Sequence, residues 1–143
     1  MPKLNFSHTV KFTPEQMLAL VADLRSYPDF VPNCTGMGVR DEDDNTKLAL
    51  MEVNFGPVSQ SYTSRVIIDD KLMSVHSQAL DGPFSYLDSL WKFIPEGQGA
   101  RVQLEIDFEI ANPLIAAIAE PAFANKQGEI LDAFMDEARR RYS

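Results

Sequence analysis

The C-terminal segment, residues 112–142, is the one stretch long enough to form a helix that crosses a whole sheet. In its second half, apolar or neutral residues recur with the spacing of one α-helical stripe. These residues are Phe123, Gln127, Ile130, Leu131, Phe134 and Ala138. The opposite face carries charged residues such as Lys126, Asp132 and Arg140. The pattern predicts an amphipathic helix that packs its stripe against another part of the protein.

The first half of the same segment does not continue this stripe. At about 100° per residue, Leu114 and Ile118 point to the side that holds the charges further along. An unbroken helix would then have to bury two opposite faces. Pro121 removes a backbone donor and biases Glu120 away from the α region. We therefore expect a short apolar helix over residues 113–120, a break or strong kink, and a long helix over 121–142.

Composition limits the class of protein. The 143 residues are enough for one domain with a real core, so we expect a single domain over residues 1–143. A net charge of -8 argues against DNA or RNA as an obligatory partner, because phosphate binding needs a basic face. One cysteine excludes an internal disulfide. No leader peptide and no long apolar run precede the first strand pattern, so we expect a cytoplasmic protein.

The chain before the final segment predicts mostly strands. Residues 4–12 alternate with a period of two, and a helix is expected over 14–26, with Thr13 as its N-cap and Gln16 completing a capping box. Residues 27–32 predict a short turn or helical loop. Further strands are expected at 37–39, 47–55, 58–68, 72–80, 84–94 and 102–110. Turns are expected at 41–45, 56–57, 69–71, 81–83 and 95–99.

This order of elements predicts an α+β helix-grip fold, in which a curved antiparallel sheet of six or seven strands surrounds the C-terminal helix. Strand parity places polar residues among the apolar ones on the face that meets the helix: His8, Gln60, Ser64 and Ser89. A solidly packed core rarely holds such a row, whereas a small-molecule pocket combines apolar walls with a few polar groups. We therefore expect a ligand cavity between the sheet and the helix.

The sequence gives weaker signals for catalysis than for ligand binding. The chain has no phosphate-binding glycine loop, serine elbow or Cys-His signature, and His8 and His76 lack the spacing of a metal pair. The acidic turn at 41–45 lacks the glycine and the distal glutamate of a calcium loop. Asp88 and Glu52 could act as acid or base only if buried. We therefore predict no catalytic residue and no metal site.

Three motifs resemble those of the coenzyme Q-binding START-domain family, part of the SRPBCC superfamily. They are residues 20–34 (LVADLRSYPDFVPNC), residues 81–93 (DGPFSYLDSLWKF) and the pair 107–109 (DFE) and 132–134 (DAF). Bacterial members of this family are also described as oligoketide cyclase/lipid-transport-like proteins or as ribosome-association toxins. The matches follow the family's order along the chain, and the absence of a mitochondrial leader points to a bacterial member.

The resemblance implies a START-like fold with an apolar tunnel that holds ubiquinone or a similar prenyl lipid as ligand, with no further cofactor. At matching positions, the residues that shape the tunnel or its mouth would be Tyr27, Phe30, Phe84, Leu87, Trp91, Phe108 and Phe134. The inner strand face and the helix stripe add Phe55, Tyr62, Phe123 and Ile130. For a carrier, we expect residues 113–120 to form part of a gate to the cavity, with Leu114, Ile115 and Ile118 available to touch a bilayer surface. The alternative is that this segment only covers one end of the core.

Three functions from different classes remain open. The leading one is a carrier or chaperone of quinone that supports respiration and quinone biosynthesis, with transient contact to the inner membrane. The second is an inhibitor of subunit joining that contacts the ribosome, implied by the toxin description within the family. The third is a polyketide cyclase or aromatase, which would need an acid or base such as His8, Tyr62 or Asp88 inside the cavity.

Overall fold

The computed structural model describes residues 3–55 and 58–142, and only the backbone of Phe55 and Val58. The strands are β1 (Lys3–Val10), β2 (Cys34–Asp41), β3 (Thr46–Phe55), β4 (Val58–Asp69), β5 (Ser74–Ala79), β6 (Phe84–Glu96) and β7 (Gly99–Ile110). The α-helices are α1 (Pro14–Ala22), α2 (Tyr27–Phe30) and α3 (Pro113–Tyr142), with a 3₁₀ turn at Leu24–Ser26. The turn predicted at 56–57 lies outside the described residues.

The strands form one antiparallel sheet in the order β1-β7-β6-β5-β4-β3-β2. From β2 to β7 each strand pairs with the next along the chain, as expected for short connections. Helix α3 contacts β1 and β7 near one edge of the sheet and β3 near the other. The sheet must therefore curve around the helix, which confirms the predicted α+β helix-grip with seven strands.

Two predicted boundaries near α1 and β5 are wrong because aspartates redirect the backbone. Helix α1 ends at Ala22, since Asp23 leaves the helical region at φ −82° and ψ 70°. The Asp23 carboxylate accepts a hydrogen bond from Ser26 Oγ at 2.7 Å, which closes the separate 3₁₀ turn. Strand β5 starts at Ser74, because Asp69 accepts hydrogen bonds from two following backbone N–H groups at 3.0 and 2.9 Å.

The loop predicted over residues 95–99 is also wrong. Strand β6 continues through Glu96 and β7 begins at Gly99, which leaves Gly97 and Gln98 as the turn. Gly97 adopts φ +59°, a conformation that glycine reaches without strain and that suits a short hairpin. Across this turn, Arg101 Nε lies 2.7 Å from a carboxylate oxygen of Glu96.

The predicted break at Pro121 is wrong, since α3 is continuous from Pro113 to Tyr142. That prediction assumed that both apolar faces must be buried, but Leu114 is 82% exposed and Ile118 56% exposed. The helix therefore buries one stripe, which includes Ala119, and leaves the apolar face of its first turns in solvent. Packing of that stripe offsets the single hydrogen bond that a proline removes. Within the described ranges, no helix is long and apolar enough to cross a bilayer.

The C-terminal end of α3 is fastened to the N-terminal part of the chain. Arg141 Nη1 donates to Asp23 Oδ2 at 3.1 Å, and the Tyr142 hydroxyl donates to the backbone carbonyl of Gln16 at 3.0 Å. The Arg141 guanidinium also lies over the Phe30 ring, 5.9 Å from its centroid. These contacts fix the last turn of the helix to α1 and α2.

A buried carboxylate completes this attachment. Glu137 is 7% exposed and accepts hydrogen bonds from Arg140 Nε and Arg141 Nε, both at 2.8 Å. The hydrogen bonds from these two guanidinium groups lower the pKa of the Glu137 carboxyl from 4.5 to about 2. The ionised form is therefore the one that stabilises the folded protein.

We expect the Glu137→Gln variant to be less stable than the wild type at neutral pH. Because the folded-state pKa lies below the unfolded-state value, the stabilisation from Glu137 is complete above about pH 5 and is lost as pH falls from about 4.5 towards 2. Urea denaturation across this range should show the difference between the two proteins shrinking. Asp136→Asn, at an exposed carboxylate one residue away, is the matched control. A difference that stays constant down to pH 3 would contradict the assignment.

Candidate ligand cavity

A cavity of about 140 Å³ lies between the concave face of the sheet and α3. Residues from β2 to β7 line it, together with residues of α3 and of the segment from Leu24 to Cys34. For scale, an apolar cavity of about 150 Å³ in another protein is large enough to bind benzene. The space therefore admits one six-membered ring or a group of similar size.

Helix α3 contributes Phe123, Gln127, Ile130 and Phe134 to the cavity wall, all from the stripe that the sequence predicts. The two phenylalanines are separated by about 16 Å along the helix, at a rise of 1.5 Å per residue. Gln127 and Ile130 lie between them. The part of α3 that faces the cavity is thus bounded at each end by a large ring.

Phe134 fixes one end of this segment. Its ring meets those of Tyr27, Phe30 and Trp91, with centroids 5.2, 5.1 and 5.0 Å away and steep interplanar angles. Such edge-to-face contacts are favourable between aromatic rings. They connect α3 to α2 and to the sheet at the same point.

Phe123 fixes the other end in the same way. Its ring lies 4.5 Å from that of Phe108 on β7 and 5.6 Å from that of Phe84 on β6. The Phe84 ring in turn meets Tyr62 edge-on, at 5.2 Å. Helix α3 is therefore supported on the sheet at two separate ring clusters.

The sheet wall of the cavity includes four small side chains, Ala49, Ser64, Ser77 and Ser89, on the adjacent strands β3 to β6. Ala49 pairs with Ser64 and Ser77 pairs with Ser89 across neighbouring strands. Because the ring clusters hold the helix away from the sheet and these side chains are short, the space between them is not filled.

The hydroxyl and amide groups in the cavity wall differ in their hydrogen-bond partners. The hydroxyls of Ser77 and Ser89 lie 2.6 Å apart and form a hydrogen bond with each other. The Gln127 side chain donates from Nε2 to the backbone carbonyl of Phe123 at 3.0 Å. Ser64 is 8% exposed, and its hydroxyl makes no hydrogen bond to another residue of 3–55 and 58–142. It is not among the fully buried polar atoms of these residues that lack a partner, so it is reached from the cavity.

The cavity carries no formal charge at neutral pH. In the part of the chain that the structure describes, no Asp, Glu, Lys, Arg or His side chain lines it. Burial raises the pKa of the Tyr27 and Tyr62 hydroxyls and of the Cys34 thiol. These three ionisable lining residues therefore stay protonated and neutral.

The residues predicted to bind a ligand fall into three groups. Those in the cavity wall are Tyr27, Tyr62, Leu87, Trp91, Phe123, Ile130 and Phe134. Phe30, Phe84 and Phe108 do not line the cavity but support it, because each contacts the ring of a lining residue. The side chain of Phe55 lies outside the described residues.

The polar residues predicted on the inner face divide in the same way. Ser64 and Ser89 line the cavity, whereas His8 is exposed and Gln60 lies outside the wall. The sequence analysis did not predict Ser77 as a lining residue. Its position opposite Ser89 would have indicated this once the strand register was known. Cys34 was not predicted as a site residue and lines the cavity too.

The residues predicted to form a gate lie at the N-terminal end of α3. Leu114 and Ile118 are exposed, and Ile115 is half-buried against the core. These three residues do not line the cavity. Their role as a gate stays a prediction.

Acid–base catalysis by His8, Tyr62 and Asp88 would require these side chains to share one pocket. Only Tyr62 lines the cavity, while Asp88 lies half-exposed and accepts a hydrogen bond from His76 Nε2 at 2.7 Å. His8 is exposed on β1. The three residues are thus not assembled as a catalytic set. Within the described residues, no cluster of three or more His, Cys, Asp or Glu side chains is placed to hold a metal.

A sheet that grips a C-terminal helix over an apolar cavity defines the START-like class of proteins. The fold is shared by the Zhui aromatase/cyclase from Streptomyces sp. R1128, with a TM-score of 0.88 over 99% of this chain and 96% of that one, at 17% identity. Residues 10–135 match the family described as "Polyketide cyclase / dehydrase and lipid transport". The chain therefore belongs to that family.

Two relatives carry different names. The chain is 33% identical to the "Ribosome association toxin RatA" of Escherichia coli K12 over 100% of this chain and 90% of the relative. It is 30% identical to the "Coenzyme Q-binding protein COQ10 homolog B, mitochondrial" of Xenopus laevis, over 95% of this chain and 57% of the relative. Both names agree with the resemblance found in the sequence motifs.

The two buried tyrosines should respond differently to loss of the hydroxyl. The Tyr27 hydroxyl donates to the backbone carbonyl of Val21 at 2.5 Å, whereas that of Tyr62 donates to the weak acceptor Met51 Sδ at 3.3 Å. We expect Tyr27→Phe to lower the free energy of unfolding by about 1–2 kcal/mol. Tyr62→Phe should change it by less than about 0.5 kcal/mol. Equal losses in denaturant titrations would show that the Tyr27 hydrogen bond is not a significant stabiliser.

Proposed function

We propose that this protein binds a hydrophobic small molecule, a prenyl quinone such as ubiquinone, between the sheet and α3 and acts as its carrier. The observation on which the proposal rests is the apolar, uncharged cavity of about 140 Å³. Ring-lined walls suit a flat ring, and burial of an apolar ligand is favourable in such a space. The relative named as a coenzyme Q-binding protein supports the choice of quinone.

The size of the cavity limits which part of the ligand is enclosed. A volume of about 140 Å³ accommodates one ring but not a ring together with a long isoprenoid tail. The ring is the part that fits the aromatic and hydroxyl-bearing walls. The tail would then leave the cavity or require α3 to move away from the sheet.

A variant that fills the cavity should abolish ligand binding without unfolding the protein. Ala49 is 3% exposed in the sheet wall, so in Ala49→Leu the larger side chain would occupy the space meant for the ring. We expect at least a tenfold loss of prenyl quinone recovered by organic-solvent extraction of the purified protein, measured by mass spectrometry. The melting temperature should change little, because the added methyl groups enter an existing void.

The matched control for this experiment is Ala117→Leu, an exposed position on α3. It adds the same side chain outside the cavity and should leave the quinone content unchanged. If the wild type carries no prenyl quinone or other lipid, or if Ala49→Leu carries as much as the wild type, the carrier proposal is wrong.

Ribosome association is the second candidate, favoured by the 33% identity to the relative named RatA over 100% of this chain. The net charge of -8 argues against broad contact with RNA and favours a contact with ribosomal protein. If the candidate is correct, overexpression should lower the fraction of joined ribosomal subunits in sucrose-gradient profiles. An unchanged profile would remove it.

A further inference from the structure

The Ser64 side chain presents its hydroxyl to the cavity. Its side chain lines the cavity and is 8% exposed, and the described part of the chain offers its hydroxyl no hydrogen-bond partner. Among the described residues, this hydroxyl is not one of the fully buried polar atoms that lack a partner, so it is reached from the cavity. A hydroxyl in that position can donate to an acceptor on a bound ligand.

Two further hydroxyls lie on the same wall. The sheet register pairs Ser77 with Val66 on β4 and with Ser89 on β6, and Val66 is two residues from Ser64 along β4. All four side chains therefore project from the same face of the sheet. The Ser77–Ser89 hydrogen bond uses one of the two hydroxyl protons, which leaves the other free to donate. The wall thus presents donors from three adjacent strands.

The same cavity offers nothing that would stabilise a negative charge. Its described lining contains no Arg, Lys or His side chain. An ionised carboxylate or phosphate moved there from water would lose its hydration without gaining a countercharge, which is strongly unfavourable. Hydroxyl donors alone suit a neutral oxygen acceptor.

We infer that Ser64, Ser77 and Ser89 form a polar subsite that binds the neutral oxygen of a ring-bearing ligand and excludes anionic lipids. The inference rests on the proposed carrier function and narrows its ligand to neutral carbonyl or hydroxyl heads, such as a quinone ring. Fatty acids and prenyl diphosphates would be rejected, although their tails are equally apolar. The subsite therefore sets specificity, while the aromatic wall sets affinity.

The protein provides its own reporter for a test. Trp91 is the sole tryptophan and lines the cavity, so its fluorescence reports occupancy by a quinone, and other ligands are measured by competition. Three probes share a ring and a ten-carbon tail: decylubiquinone, decylbenzene and 4-decylbenzoate. We expect the wild type to bind decylubiquinone at least tenfold more tightly than 4-decylbenzoate at pH 7.5.

The decisive variant is Ser64→Ala. Loss of one hydrogen bond should weaken decylubiquinone binding about fivefold and leave decylbenzene binding within about twofold. Because the hydroxyl has no partner in the protein, the melting temperature should stay the same or rise, whereas a structural hydroxyl would lower it. Ser61→Ala, exposed on the same strand, is the matched control and should change none of these values.

The outcomes separate this inference from the carrier proposal. The subsite inference is wrong if Ser64→Ala binds decylubiquinone as tightly as the wild type does. It is also wrong if 4-decylbenzoate binds as tightly as decylubiquinone. In both cases the carrier proposal is unaffected. The same holds if decylbenzene binds the wild type as tightly as decylubiquinone. If the wild type binds none of the three probes, both proposals are wrong.

Discussion

The packing of α3 on two aromatic clusters is the constraint on which the rest of the structure depends. Phe134 and Phe123 hold the helix against the sheet at two points. The backbone between these points keeps its helical geometry, because its own hydrogen bonds fix it. Short side chains on the sheet cannot reach across the remaining gap. The cavity is therefore a result of where the large and small residues lie, and its walls can be firm without any ligand.

The two halves of α3 are held very differently. The C-terminal half is fixed by Arg141 and Tyr142 to the first helices, and the buried Glu137 strengthens that attachment. The N-terminal half exposes Leu114 and contains Pro121, which removes a backbone donor. Ahead of the Phe123 cluster, the first turns of α3 bury fewer apolar side chains than the C-terminal half does.

Much of the fold follows from simple patterns, and the exceptions have physical causes. The alternation in β7 and the stripe of α3 are set by burial, so the sequence predicts them well. The break predicted at Pro121 is wrong, because leaving Leu114 exposed costs less free energy than interrupting a packed helix. The sequence predicted that aromatic side chains would line the cavity. The size of the cavity was not, because volume depends on the distance between elements and no local pattern encodes it.

The small residues of the sheet wall have a consequence for how proteins of this architecture diverge. A change of side-chain size at Ala49, Ser64, Ser77 or Ser89 would reshape the enclosed space while the backbone hydrogen bonds and both ring clusters stay in place. New ligand preferences could therefore arise through a few substitutions that cost little stability. The aromatase/cyclase has the same backbone fold at only 17% identity. Such a pair is expected when the backbone is kept and the side chains around the cavity change.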